Sequence, residues 1–543
     1  MKFLSLNPPK RKIFNYFTVR RLIVSSFRCI YKGSIIVNHS KKRHLESNRT
    51  LALNTFTAIM LQIVTVVCGF ILPKLILGTY GSNINGLVSS IAQFLQVVAF
   101  LELGMGAVIQ AELYKPISDN DHVKTSEIIA CGNAFFRKIA LSLSAYILLL
   151  MWFYPAFIDN DFGYLFDIEL ILAMGIGSFV QYYFGIVDLL FLNANQKGYI
   201  KDSIYAVTLI LNTIGCFVLI ELGFSIQIVK FTTSLIFIAR PIIIRWYINR
   251  HYIVDRNIRF KKDVIKQKWN GIAQHIAAVI LDGTDIIVLS LFSNFANVSI
   301  YSVYGIVFNN VKNLFFSSFS GIQSMMGNLW AKNDLSKLNT YFCKMEWIVH
   351  FLSVLIWLCT YKLIVPFVLL YTKGVIDVSY DVPLFAMLIC VAYYLFTIRL
   401  TFNTLILSVG HFKKTQKIFI IAAALNVFIS VISVSIMGLI GVAIGTFISL
   451  LYQYIHMQYY CVKVLRIYGY KESAKQWLVD LIEIGLFLAI TNMIVVDIDY
   501  VFSWLKDAVI VFIIALAIVS ICNALFYTNN VISIIGKLIR NKI

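Results

Sequence analysis

Charge is what this sequence has least of. Only 14% of its 543 residues are Asp, Glu, Lys or Arg, whereas 59% are hydrophobic. A soluble domain has no use for that much apolar surface, and the apolar runs recur along the whole chain. The nine cysteines are also sparse. They stand singly, mostly inside apolar runs (Cys68, Cys216, Cys359, Cys390, Cys522), without metal-binding spacing, and read as small core hydrophobes. No HExxH, GxSxG, Walker or GxGxxG pattern occurs in a usable context, so catalytic residues, metal ligands and cofactor sites are not expected. Long loops are missing too, which leaves no room for a soluble catalytic or nucleotide-binding domain. A membrane glycan polymerase, which needs a long outer loop, is disfavoured on the same ground.

What is present is a series of apolar segments of about 20 residues, the length that crosses a bilayer. They lie at roughly 52–72, 84–110, 137–157, 168–192, 203–221, 226–247, 270–291, 298–326, 346–370, 382–409, 416–436, 439–460, 477–496 and 504–526. The fold class is therefore all-α, a polytopic membrane protein with about 14 transmembrane helices.

Loop charge orients the chain. Residues 245–269 carry eight Lys or Arg, and 411–417, 462–475 and 537–542 add to the same side. The alternate loops 159–169, 293–299 and 497–500 contain no basic residue. The positive-inside rule then puts both termini in the cytoplasm, in keeping with an even helix count. Residues 1–49 hold twelve Lys or Arg against Glu46 alone and read as a basic arm attracted to anionic membrane lipids. Loop charge of this kind is a solvated face, so no nucleic-acid partner is expected.

Weak internal similarity recurs at an offset of about 211 to 215 residues. LNTIGCFVLIELG (211–223) aligns with LNVFISVISVSIMG (425–438), and QYYFGIVDLLF (181–191) with AYYLFTIRLTF (392–402). A duplicated unit of six helices enters the membrane the same way twice, so the copies are parallel repeats (helices 1–6 and 7–12), with helices 13–14 added. The expected division is a basic arm (1–48), a first lobe (49–249), a basic linker (250–269), a second lobe (270–462) and a terminal segment (463–543).

Polar residues on apolar helices mark candidate sites, because a bilayer makes them costly. Helix 8 carries Ser302, Asn309, Lys312, Asn313 and Ser320 at helical spacing, and helix 2 carries Asn85, Gln93 and Gln96. A lysine in mid-stripe favours a wet cavity over hydrogen-bonded packing between helices. His275, Asp282 and Asp285 fall near one face of helix 7. Asp188 and Arg399 occupy equivalent places in the two repeats, which suggests partners or opposed walls. Two carboxylates one turn apart resist double ionisation, so a shared proton or bound cation is expected, with pairing to Lys312 or Arg399 as the alternative. The substrate-binding candidates are Lys312, Arg399, Asn309, Asn313, Gln93 and Gln96; the ion-coupling candidates are Asp285, Asp282, Asp188 and His275.

NRTLALNTFTAIMLQI (48–63), FLELGMGAVIQAELYKPISDND (100–121) and TDIIVLSLFSNFANVSIYSVYGIV (284–307) resemble the polysaccharide transporters of the multidrug/oligosaccharidyl-lipid/polysaccharide exporter superfamily, nearest to the Wzx-type flippases. The resemblance spans residues 48 to about 526. It implies a MATE-like two-lobed architecture in a bacterial inner membrane. It also implies translocation of undecaprenyl-diphosphate-linked oligosaccharide for O-antigen or capsule assembly, with a proton or sodium ion as coupling ion and contact with polysaccharide assembly proteins. Hydroxyl-rich sugar suits the Asn/Gln/Ser stripes, and a diphosphate suits Lys312 and Arg399. A cation-coupled multidrug exporter and a lipid II flippase share the fold and stand as alternatives.

Overall fold

The computed structural model describes residues 39–97, 105–158, 162–256, 258 and 272–528, without some side chains in the first, seventh and eighth helices. The described residues form fourteen helices. The first, α1, is His39–Gln96, broken at Gly81, whose φ of 84° lies outside helical space. Then follow α2 (Met105–Ser118), α3 (His122–Phe157), α4 (Tyr164–Ala194), α5 (Gly198–Glu221) and α6 (Ile226–His251). After the linker come α7 (Ile272–Phe292), α8 (Phe295–Ala331), α9 (Leu335–Tyr371), α10 (Pro383–Ser408), α11 (Phe412–Met437) and α12 (Leu439–Tyr459). The chain ends with α13 (Tyr470–Thr491) and α14 (Val501–Phe526). Ten of the described helices are long and apolar enough to cross a membrane. The expected span 84–110 is divided: its helix ends at Gln96 and α2 begins at Met105. Glu102 lies outside the described residues.

The helices are inside-out relative to soluble ones. On α5, Val207, Leu211, Ile214 and Phe217 are exposed, while Thr208, Asn212, Thr213 and Cys216 are buried. Apolar side chains three and four apart make a stripe for lipid, and the polar face turns inward because hydrocarbon offers it no hydrogen bonds. Prolines within helices (Pro73, Pro116, Pro155, Pro241, Pro366) are tolerated in this setting.

Packing repeats. In the first set α1 packs on α5, α2 and α3 on α4, and α6 on both α4 and α5. In the second set α7 packs on α11, α8 and α9 on α10, and α12 on both α10 and α11. Left-handed backbone positions recur with it: Asn120 and Asn333, Gln196 and Gly410, Gly223 and Gly438, at offsets of 213, 214 and 215 residues. Asp121 caps α3 by accepting from the Lys124 amide, and Asp334 caps α9 by accepting from the Lys337 amide. Hydrogen bonds from the Lys337 side chain and backbone hold the Asp334 carboxyl below the usual range. The hairpin α13–α14 lies outside this pattern and packs on α9.

Candidate functional site

Four helices of the second repeat and a wall from α11 line a cavity of about 260 Å³ in which charged, amide and aromatic side chains meet. Lys312 and Asn313 enter from α8, Arg399 and Asn403 from α10, Ser449 and Gln453 from α12, and Asp285 from α7. Phe316, Phe396 and Phe419 complete the lining. The Lys312 ammonium lies 5.4 Å from the centre of the Phe396 ring, and the Arg399 guanidinium lies 4.8 Å from it. Both cations thus lie within reach of the Phe396 ring, which attracts each through its quadrupole. Gln453 is fully buried, and its side-chain oxygen and nitrogen both lack a hydrogen-bond partner among the described residues. Buried amides are normally bonded, so this one is placed to bond to whatever fills the cavity.

Asp285 sits at the edge of the cavity, buried, in a nest of donors. Its Oδ2 accepts from the Tyr301 hydroxyl at 2.7 Å and the Thr446 hydroxyl at 2.6 Å. The Asn426 amide approaches Oδ1 at 3.4 Å and is oriented by Thr284, whose hydroxyl donates to Asn426 Oδ1 at 2.8 Å. Hydrogen bonds of this kind favour a charged carboxylate. The same hydroxyl and amide oxygens can turn toward a small cation, so the nest can hold a monovalent ion beside the carboxylate.

Of the residues singled out from sequence, Lys312, Asn313, Arg399 and Asp285 converge on this one cavity. The rest do not. Asn309 is exposed and outside the lining, Gln96 is exposed, and the Gln93 amide packs on the α7 backbone at Gly283, where a Cβ would lie 2.5 Å from it. The side chains of His275 and Asp282 lie outside the described residues. Asp188 neither partners nor opposes Arg399. It is buried in the first repeat and pairs with Arg256 at 2.8 Å, because the chain leaving α6 turns back over α4 and brings that arginine to it. Asn85 is interhelical glue, donating to Ser299 at 2.8 Å and Ser302 at 3.3 Å on α8. Tyr301, Asn426, Thr446 and Gln453 were not anticipated. Hydroxyl and amide groups scattered singly in apolar helices carry no spacing signal.

The two repeats meet at a latch near the α1 break. The Ser82 amide and hydroxyl donate to Asp377 at 2.7 and 2.8 Å, and the Ser82 hydroxyl lies 2.8 Å from the Tyr380 hydroxyl. Tyr380 in turn lies 2.9 Å from the Ser299 hydroxyl on α8 and accepts at its carbonyl from Tyr304 at 2.8 Å. Gly86 presses against the Phe295 backbone, leaving no room for a Cβ. On the lipid side of the second repeat an apolar groove of about 520 Å³ runs between α9, α10, α12 and α13, with Trp357, Tyr394, Phe447 and Trp477 in its walls.

No family model matches the sequence, and no curated protein matches it. Solved structures do share its fold. The lipid II flippase MurJ in an inward closed conformation superposes with a TM-score of 0.67 at 15% identity, over 88% of this chain and 100% of its own. An inward-facing multidrug resistance MATE family transporter of the MOP superfamily gives 0.56 at 14% identity, over 77% and 99%. A MATE structure in a bent conformation gives 0.51 at 14%, over 79% and 97%. The chain therefore has the fold shared by MurJ and the MATE transporters, as a polytopic all-α membrane protein.

Proposed function

We propose that this protein is a flippase that carries a polyprenyl-diphosphate-linked oligosaccharide across the bacterial cytoplasmic membrane by alternating access, with no covalent chemistry. The observation that carries the reading is the cavity that sets Lys312 and Arg399 beside Asn313, Asn403 and Gln453. Cations confined in a membrane protein are costly, and an anionic headgroup offsets that cost through charge-assisted hydrogen bonds. The cavity's volume is too small for a whole oligosaccharide, so the remaining glycan would lie outside it. The apolar groove beside it has the character of a site for alkyl chains rather than headgroups. Asp285, in its nest of hydroxyls, is the proposed ion-coupling residue, with a proton or sodium ion as its ligand.

The likeness to MurJ favours lipid II as the second reading, since a lipid II flippase would use the same cations for the same diphosphate. A multidrug exporter is a poorer fit, because paired cations repel the cationic compounds such a transporter would have to hold. The test is reconstitution in vesicles with two fluorescent substrates, lipid II and a polyprenyl-diphosphate oligosaccharide. Translocation of the oligosaccharide lipid supports the first reading and translocation of lipid II alone the second. Export of a cationic dye with neither lipid moved would reject both. In cells, deletion of the gene should remove surface glycan and trap its lipid-linked precursor inside.

A further inference from the structure

Outside the cavity, the described residues hold a buried cluster of ionisable groups that joins the terminal hairpin to the second repeat. Helix α9 supplies Glu346, Trp347 and His350, α10 supplies Tyr394, α13 supplies Gln476, Asp480 and Glu483, and α14 supplies Asn523. The three carboxyls, the imidazole and Asn523 are each no more than 1% exposed. His350 Nδ1 lies 2.5 Å from Asp480 Oδ2, and its Nε2 lies 3.2 Å from Glu346 Oε1. The Tyr394 hydroxyl donates to the same Asp480 oxygen at 2.5 Å, and Gln476 reaches Asp480 Oδ1 at 3.4 Å. Asn523 donates to Glu483 Oε1 at 2.7 Å and accepts from the Trp347 indole at 2.6 Å.

The charges in this cluster do not balance. An imidazole facing a carboxylate oxygen from each nitrogen holds two protons and one positive charge. Three ionised carboxyls around it would leave two net negative charges, and among the described residues none of the three has a lysine or arginine in ion-pair contact. The other titratable groups facing them are Tyr454, Tyr468 and Tyr527, the thiols of Cys343, Cys461 and Cys522, and Glu472 near Cys343 and Tyr527. None of these supplies a positive charge, and Lys475 on α13, which lies over the Tyr527 ring and donates to the Phe526 carbonyl, is not in ion-pair contact with the three carboxyls. Glu346 Oε2 and Glu483 Oε2 are buried with no hydrogen-bond partner among the described residues. Desolvating an uncompensated charge costs several kcal/mol, so the cheapest remedy is to bind protons on these oxygens. No grouping of three His, Cys, Asp or Glu suited to a metal ion occurs among the described residues.

We propose that Glu346, His350, Asp480 and Glu483 form a proton-binding site that seats the α13–α14 hairpin against α9 and α10. It is separate from Asp285. Glu483, with no cation in contact, takes the proton first. Losing it leaves net negative charge between helices from both sides of the joint, and the hairpin loosens. Tyr394 carries the change outward, because its hydroxyl bonds Asp480 while its ring lines the apolar groove. Protonation of the cluster therefore sets how tightly that groove is walled.

The test needs no transport assay, so its result stands apart from the proposed function. The full chain in nanodiscs is titrated from mildly acidic to alkaline pH, with infrared detection of carboxylic-acid C=O bands and a parallel measurement of thermal stability. The folded protein holds protons that the unfolded chain releases, so stability should fall as rising pH removes them. A carboxylic-acid band should disappear over the same range. Glu483→Gln, which keeps the shape without the titration, should lose that band and show stability that no longer falls over this range. Should Glu483→Gln fail to fold, Asn523→Ala, which removes the donor to Glu483 Oε1, should move the pH at which the band disappears. An acid band and a stability slope left intact in the folded variants would overturn the proposal. So would the absence of any carboxylic-acid band from the wild-type protein across the range.

Discussion

Ser82→Ala should open the latch between the two repeats. The substitution removes one hydroxyl and leaves the backbone bond from Ser82 to Asp377 in place. Two hydrogen bonds are lost, the one to Asp377 at 2.8 Å and the one shared with Tyr380 at 2.8 Å. Asp377 is exposed, so its share belongs at the low end of the range, whereas Tyr380 is buried and retains Ser299. At about 0.5–1.5 kcal/mol for each bond, the closed arrangement loses about 1–3 kcal/mol. The ratio of closed to open forms then falls by roughly 5- to 150-fold. Spin labels at the exposed positions Thr79 and Ile376 report this as a distance distribution in nanodiscs. Wild-type protein should give one short, narrow population, and Ser82→Ala a second, longer one. Superimposable distributions would refute the idea that these bonds hold the repeats together.

Three further outcomes are expected. In Asp285→Asn the amide oxygen can still accept from Tyr301 and Thr446, but its new NH₂ meets the Asn426 amide nitrogen. The cost should be about 1–3 kcal/mol of stability, with folded protein retained. Transport in vesicles should fall and lose its pH or sodium dependence; an unchanged ion dependence would reject the coupling role. Arg256→Gln removes the ion-pair partner of buried Asp188 and leaves only the weaker influence of Arg245, so it should destabilise the protein by about 3 kcal/mol, with the double change Arg256→Gln, Asp188→Asn recovering much of it. Cysteines at Asp499 and Lys414 should label with an impermeant reagent from outside the cell and only after lysis, respectively, and the opposite pattern would invert the orientation.

The helices were legible because lipid imposes one length and one composition on every span. Residues in a bilayer that break that composition are conspicuous, and this made Asp285, Lys312 and Arg399 visible before any coordinates. Their convergence on one cavity follows from the repeat, since α7, α8 and α10 are neighbours in the same six-helix unit. The partners of Asp285 were not legible. A threonine or tyrosine in an apolar helix looks the same whether it bonds its own backbone, as Thr284 also does to Ile280, or a carboxylate two helices away. Asp188 misled for a different reason. Its equivalence to Arg399 is an equivalence of position in two copies, which places the residues in separate repeats instead of bringing them together. Glu346 and His350, four apart in an apolar run, carried a signal as strong as that of helix 7. Only the return of α13 and α14 to α9 gives it meaning, and helices outside the duplication offered no register from which to infer that.

The central claim is that the cavity holds a lipid diphosphate through Lys312 and Arg399, and binding tests it without depending on transport. A purified polyprenyl-diphosphate oligosaccharide is titrated into nanodiscs containing wild-type protein, Lys312→Ala or Lys312→Arg. A charge-assisted hydrogen bond is worth about 1.5–3 kcal/mol, so Lys312→Ala should bind roughly 10- to 150-fold more weakly, while Lys312→Arg keeps a substantial part of the affinity. The same lipid without its phosphates should bind all three proteins equally weakly. Equal affinity of wild type and Lys312→Ala for the diphosphate lipid would contradict the account and would make the lysine a structural charge.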